Sequence, residues 1–197
     1  MTNAAWLDEL EIEDGDHIIA IVTEGRDVDL LGPYYRPACD AGHPCVAVAT
    51  PTIASELGER LGEAGLGEDA VEFHNPLETG IGDDGRFDVE RFLSRAGDLL
   101  AAHFDLGAKA IRHAGVMRWL NEARVDERDQ IYLEARINEI VEGSPTSCLC
   151  VYDARQIGAH LLVQLLRTHP KVLLDRRVVQ NPFYVKPQEV IRELRGS

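Results

Sequence analysis

SCLCVYDARQIGAHLLVQLLRTHPKVLLDRRVVQNPFY, residues 147–184, is the stretch whose reading decides the fold. Ser147 to Tyr152 is an apolar run rich in strand formers, closed by Asp153, a residue that starts turns and helices. Leu161, Leu162, Leu165 and Leu166 then recur at the spacing of one helical face. Pro170 stops that helix, because its ring removes a backbone donor and disfavours helical geometry at His169. Val172–Leu174 and Val178-Val179 follow as a closing β-hairpin across Asp175-Arg176-Arg177. The polar residues Tyr152, Asp153 and Arg155 fall at the strand's carboxyl end, where open α/β sheets bind ligands, and predict the wall of a pocket there.

The same grammar runs through the rest of the chain. Residues 3–13 carry Trp6, Leu7 and Leu10 on one face, which predicts a short helix or flap. Ile18–Val22 and Cys45–Ala49 are continuous apolar runs of the kind buried parallel strands show, with a helical spacing of Leu30, Leu31, Tyr34, Tyr35 and Ala38 between them. Thr50-Pro51 predicts a capped helix with Ile53, Leu57 and Leu61 inward. A short strand over 70–73, a polar loop or small hairpin over 74–87, and a helix capped by Asp88 with Phe87 and Phe92 as a staple come next. Ala108–His113 reads as the fourth strand, Asp126–Val141 as a helix with Leu133, Ile137, Ile140 and Val141 inward, and Pro187–Arg195 as a terminal helix. The expected fold is a single three-layer α/β/α domain with a mainly parallel sheet and a C-terminal hairpin.

Composition narrows the function. The 197 residues carry a formal charge of −14 and a pI near 4.8, a field that repels phosphate backbones and speaks against nucleic acid as a partner. No apolar run reaches the roughly 20 residues of a membrane span. The acidic start MTNAAWLDELEIEDGD lacks the basic and apolar regions of a signal peptide, so the expected location is cytoplasmic. The four cysteines stand as C-x5-C (Cys39, Cys45) and C-x-C (Cys148, Cys150), not in zinc-site spacing. They read as packed small hydrophobes; Cys148 and Cys150 share one strand face. No metal and no cofactor are expected.

No motif of catalysis stands out. The first strand-to-helix turn, VTEGRDVDLLG, lacks the lysine of a phosphate-binding loop, and Glu24, Asp27 and Asp29 oppose phosphate. GIGDDG at 80–85 fails the calcium-loop pattern, which puts Arg91 where a glutamate is needed. Neither G-x-S-x-G nor H-E-x-x-H occurs. The candidate ligand-binding residues are those expected at the carboxyl ends of strands one, four and five: Thr23, Glu24, Arg26, Arg112, Met117, Trp119, Tyr152 and Asp153. Arg112 stands out because a guanidinium at a sheet end needs a carboxylate or a ligand; Asp153, Glu24 and Glu134 are the possible partners.

GAKAIRHAGVMRWL (107–120), IYLEARINEIV (131–141), CLCVYDAR (148–155), LLRTHPKVL (165–173) and NPFYVKP (181–187) together resemble the MEDS domain, the methanogen/methylotroph, DcmR sensory domain. The resemblance implies a RecA/KaiC-like core with a degenerate P-loop and a sensor of small hydrocarbon derivatives. It divides the chain into an N-terminal helix or flap (1–13), the sensory domain (14–188) and the end of a C-terminal helix (189–197). Among the positions it matches are His17, Arg112, Met117, Trp119, Glu134, Asn138, Cys150, Tyr152, Asp153, His169 and Asn181. The chain departs from the family where His-x-Cys is replaced by His17-Ile18-Ile19 and an acidic residue by Val116. The expectation is a stand-alone, non-enzymatic signal-transduction domain that binds a small organic molecule and signals to a histidine-kinase-type or anti-sigma protein. A divergent RecA-like nucleotide-binding protein or ATPase, and an interaction module without ligand, are the alternatives.

Overall fold

Runs of four to eight apolar residues become strands in this chain because both faces of the sheet they form are covered. The computed structural model describes residues 12–23, 28–174 and 177–196. Its strands are β1 His17–Val22, β2 Cys45–Val48, β3 Glu72–His74, β4 Ile111–Val116, β5 Thr146–Asp153, β6 Lys171–Leu174 and β7 Arg177–Gln180. They form one sheet in the order β3-β2-β4-β5-β1-β6-β7, parallel throughout except for the antiparallel β6–β7 hairpin. The helices are α1 Leu31–Asp40, α2 Pro51–Glu63, α3 Pro76–Gly80, α4 Val89–Asp105, α5 Trp119–Glu122, α6 Glu127–Val141, α7 Ala159–Thr168 and α8 Pro187–Gly196. Helices α1 and α2 pack on one face; α4 and α6 cover the other, with α7 and α8 packed on α6. The expected three-layer α/β/α domain with a C-terminal hairpin is the fold observed.

Local chemistry accounts for the helix starts. Asp88 accepts from the Arg91 amide and Asp126 from the Asp129 amide, while the Phe87 and Phe92 rings meet at 5.5 Å as the expected staple. Thr50 stands at the cap position before Pro51, but its hydroxyl makes no cap bond; it is buried and lacks a partner among the described residues. Gly107 ends α4 at φ +95°, a left-handed conformation that disfavours any side chain. Residues 74–87 hold the short helix α3 and a bridge between Ile81 and Phe87. The segment 3–13 has only Ile12 and Glu13 among the described residues, so its helix lies outside them.

One boundary moves with consequences. The fourth strand runs over 111–116, not 108–113, so Arg112 and His113 sit near its start and not at its carboxyl end. Their polarity made the run look finished, but each has a partner inside the protein. Arg112 donates to the Ser147 hydroxyl at 2.9 Å and lies 5.3 Å over the Tyr34 ring, while His113 Nδ1 is 3.3 Å from Cys148 Sγ.

The α1 side is latched to the sheet by two phenols. The Tyr34 hydroxyl donates to the His113 carbonyl at 2.9 Å, with the Ser147 carbonyl 3.2 Å away, and Tyr35 donates to the Val46 carbonyl at 2.7 Å. Burial pushes both phenols' pKa up, keeping them protonated as donors. Among the described residues no helix is long and apolar enough to cross a membrane. Tyr34→Phe is expected to cost about 1 kcal/mol, read as a fall of roughly 2–4 °C in Tm by calorimetry. An unchanged Tm would show that the latch contributes nothing.

Candidate functional site

Parallel register and a side-chain period of two bring together residues that are far apart in sequence. His17 pairs with Cys148 across β1–β5, and His113 pairs with Cys148 across β4–β5, so one row of three strands carries His113, Cys148 and His17 on the α6 side. Cys150 and Tyr152 follow on the same side of β5. From above, α6 presents Glu134 and Asn138, one turn apart and both buried. His169 arrives from the chain just after α7, where Pro170 has ended the helix, and is fully buried.

The centre of this cluster is the Glu134 carboxylate. Its Oε1 accepts from the Tyr152 hydroxyl at 2.5 Å. Its Oε2 lies 3.3 Å from His17 Nε2, 3.2 Å from His169 Nε2 and 3.5 Å from Cys150 Sγ. The His169 approach lacks hydrogen-bond geometry, leaving that ring nitrogen buried without a partner among the described residues. His17 Nε2 is also 3.4 Å from Cys150 Sγ, and the two imidazole rings are 4.1 Å apart. One ligand atom from each of His17, Glu134, Cys150 and His169 lies within 4.8 Å of the others, so among the described residues these four are a group able to hold a metal ion.

The outer contacts fix which ring nitrogens face inward. Asn138 Nδ2 donates to the Glu134 carbonyl at 3.1 Å and the Thr168 carbonyl at 2.5 Å. Its Oδ1 must therefore accept from His17 Nδ1, 3.1 Å away. His169 Nδ1 donates to the Leu165 carbonyl at 2.7 Å. Both rings thus turn Nε2 toward Glu134. Burial alone raises the Glu134 pKa, but His169 and His17 beside it outweigh burial and hold the carboxyl well below the usual range. Burial lowers the His17 pKa, yet the hydrogen bond to Glu134 prevails and raises it. Burial and the neighbouring His17 charge keep the His169 pKa low. The three groups titrate as one coupled unit.

Beside the cluster lies a cavity of about 40 Å³, roughly three times the space one water needs. It lies between the sheet and α4 and α6, lined by Phe92, Leu93, Leu133 and Ile137 from the helices and by Met117 and Trp119 from the segment after β4. His113, Cys148 and Cys150 line its sheet side, and the surface it exposes is almost wholly apolar. Cys150 therefore belongs to both the cavity and the Glu134 cluster. Burial and the adjoining Cys148 and Glu134 groups, the hydrogen bond with Cys148 foremost, hold the Cys150 thiol well above its ordinary pKa.

The residues singled out from sequence separate into several places. Met117 and Trp119 line the cavity. Tyr152 belongs to the Glu134 cluster. Asp153 ends β5 and is bound to Arg155 at 2.6 Å, not to Arg112. Thr23 is exposed just after β1, and Glu24 and Arg26 lie outside the described residues. Arg112 faces α1, on the opposite side of the sheet from the cavity. Between Met117, Gln130, Tyr152 and Asp153 at the carboxyl ends of β4 and β5 there is a space of only about 10 Å³, so of these two the cavity between sheet and helices is the roomier. The residue-level reading missed His17, Glu134, Cys150 and His169 as a group. Two sequence signals touch them: all four are among the positions the family resemblance matches, and Thr146, Cys148, Cys150 and Tyr152 put polar or polarisable atoms on one face of a buried strand.

Glu134→Ala leaves two buried imidazoles and the Tyr152 hydroxyl without their carboxylate. We expect a loss of about 3–5 kcal/mol, measured by urea denaturation at neutral pH. A change below about 1 kcal/mol would show that the carboxylate is not the hub of the cluster.

Comparison with known proteins agrees with this architecture. No curated protein matches the chain. A solved structure, described as a structural study of Project ID PH0250 from Pyrococcus horikoshii OT3, superposes with a TM-score of 0.55 at 11% identity, over 89% of this chain and 94% of that one. At that identity the likeness speaks for the fold alone. The pattern of the MEDS family, MEthanogen/methylotroph, DcmR Sensory domain, matches residues 16–170, a span that runs from the start of β1 to the residue after His169 and takes in the whole buried cluster. On that match the chain belongs to the MEDS family of sensory domains.

Proposed function

We propose that this MEDS domain detects a small organic molecule held in the cavity between the sheet and helices α4 and α6, and passes its state to a separate signalling protein. The observation that carries the reading is the cavity itself: an apolar chamber with a polarisable floor of Cys148, Cys150 and His113. An engineered cavity of about 150 Å³ takes benzene, so 40 Å³ favours a molecule of a few heavy atoms, such as a halogenated or methylated one-carbon compound. Such a ligand gains from burial and dispersion, and needs no charge to hold it. Nothing in the cavity resembles a phosphate site, which weighs against the nucleotide-binding alternative.

A route outward is built into the same residues. His169 carries its ring in the cluster while its carbonyl accepts from Asn181 Nδ2 at 2.7 Å, and the Asn181 amide donates to the Pro170 carbonyl at 2.8 Å. Asn181 follows β7, the edge strand, and at this edge Leu174 of β6, Val179 of β7 and Phe183 beyond it are exposed. We take this edge as the face a kinase-type or anti-sigma partner reads. Ligand that tightens α6 against the sheet favours one arrangement of His169 and hence of the hairpin.

The test is a thermal-shift screen with dichloromethane, methanol, methylamine and xenon, on wild type and on Ala96→Phe, which fills the chamber from α4. One compound saturating at 100 times its Kd should stabilise wild type by about 2.7 kcal/mol, and the filled variant should not respond. Shifts of equal size in both proteins, or in neither, would remove the cavity as the receptor site. In hydrogen exchange, the same compound should slow the amides of β7; protection confined to α4 and α6 would rule out the hairpin as the outlet.

A further inference from the structure

We infer that His17, Glu134, Cys150 and His169 form a closed four-coordinate site for a borderline divalent transition-metal ion, zinc being the best match. The inference is independent of what the adjoining cavity binds. The distances between the facing atoms are its first support. For metal bonds of about 2.0–2.1 Å to nitrogen or oxygen and 2.3 Å to sulfur, the edges of a tetrahedron are roughly 3.3–3.8 Å. The observed separations are 3.3 Å for His17 Nε2–Glu134 Oε2, 3.2 Å for His169 Nε2–Glu134 Oε2, 3.4 Å for His17 Nε2–Cys150 Sγ and 3.5 Å for Cys150 Sγ–Glu134 Oε2. Four edges are already within about 0.2 Å of tetrahedral lengths.

The second support is polarity. The Asn138 amide and the Leu165 carbonyl commit both Nδ1 atoms to donating, which leaves two Nε2 lone pairs aimed at one carboxylate oxygen. Acceptors facing an acceptor repel unless something positive lies between them. A single proton on His17 relieves one contact; His169 Nε2 stays buried and unpartnered among the described residues. A divalent cation relieves all of them at once. It would also bind the Cys150 sulfur as thiolate, releasing its proton to solvent.

The third support is the outer shell. Ligating imidazoles characteristically donate their second nitrogen to a carbonyl or carboxamide oxygen, and ligating carboxylates are themselves hydrogen-bonded. Here His17 donates to Asn138, His169 to Leu165, and the Glu134 oxygen turned away from the centre accepts from Tyr152. One sulfur, two imidazoles and one carboxylate suit zinc, and ferrous or cobaltous ions next. With all four positions taken by protein, the ion holds α6, β1, β5 and the α7–β6 junction together, and no position is left open for hydrolysis.

The experiment uses the full chain, dialysed against chelator and titrated with Co²⁺. We expect one equivalent to bind, with a thiolate-to-cobalt charge-transfer band and intense visible bands of tetrahedral cobalt, both abolished by added Zn²⁺. Cys150→Ser should lose the charge-transfer band and bind at least 10-fold more weakly, while Cys148→Ser should keep it. The Cys39 and Cys45 sulfurs, 3.3 Å apart, are the competing thiols, and a band that survives Cys150→Ser would place the ion there and overturn the assignment. Where the variant does not fold, X-ray absorption at the zinc edge of wild type decides. One sulfur near 2.3 Å with three nitrogen or oxygen neighbours near 2.0–2.1 Å supports the site. Two sulfurs, or none, refutes it, as does a protein whose melting is unmoved by Zn²⁺, Co²⁺ and Fe²⁺ alike.

Discussion

A carboxylate removed from water must find partners inside the protein, and the demand grows as the surroundings become less polar. Glu134 is fully buried, yet its neighbours hold it ionised. That constraint organises the middle of the molecule. Tyr152 is placed to donate to one oxygen; His17, His169 and Cys150 converge on the other. Asn138, one turn along α6, sets the His17 ring and ties it to the end of α7 through the Thr168 carbonyl. Four elements are therefore positioned with respect to one side chain, with tolerances of tenths of an ångström that apolar packing alone does not impose.

The other face of the sheet is built differently. There α1 relies on bulk, with Tyr34, Tyr35 and Leu31 buried against the strands, and the polar demands of those side chains are two phenol hydroxyls satisfied by backbone carbonyls. Arg112 belongs to this side, resting on the Tyr34 ring. The two faces differ in kind: one carries ordinary packing, the other a charged cluster and an apolar chamber sharing Cys150. The acidic surface is a separate matter, since Glu134 at the centre contributes to the net charge but touches no solvent.

Much of this fold is legible in the residues. Buried parallel strands announce themselves as short unbroken apolar runs, and β1, β2 and β5 fall where those runs are. Asp88 and Asp126 mark helix starts through chemistry that acts within three residues. Local reasoning failed at β4 because Arg112 and His113 look like the end of a strand unless one knows that Ser147 and Cys148 lie opposite. The cluster escaped for the same reason on a larger scale. Its members come from positions 17, 134, 150 and 169, and only the register of three strands and the crossing of α6 brings them together. Helical periodicity in α6 picks out Leu133 and Ile137, but a helix sandwiched between a sheet and two further helices buries more than one stripe. Glu134 and Asn138 occupy that extra width.

Stability does not explain such a cluster. A buried ion pair can usually be exchanged for well-packed apolar side chains of similar volume with no loss, because desolvation consumes most of what the charges contribute. Apolar side chains in place of the whole cluster, His17, Glu134, Asn138, Tyr152 and His169 together, would hold α6 on the sheet as well. What apolar residues lack is dependence on an occupant. The cluster's energy changes when a proton or a cation enters or leaves it, whereas a leucine core has one state. His169 turns that dependence outward: its ring is in the cluster and its carbonyl holds the Asn181 side chain beyond the edge strand. A residue so placed links the buried centre to the segment after the edge strand through one peptide unit, and the proposed relay rests on that link.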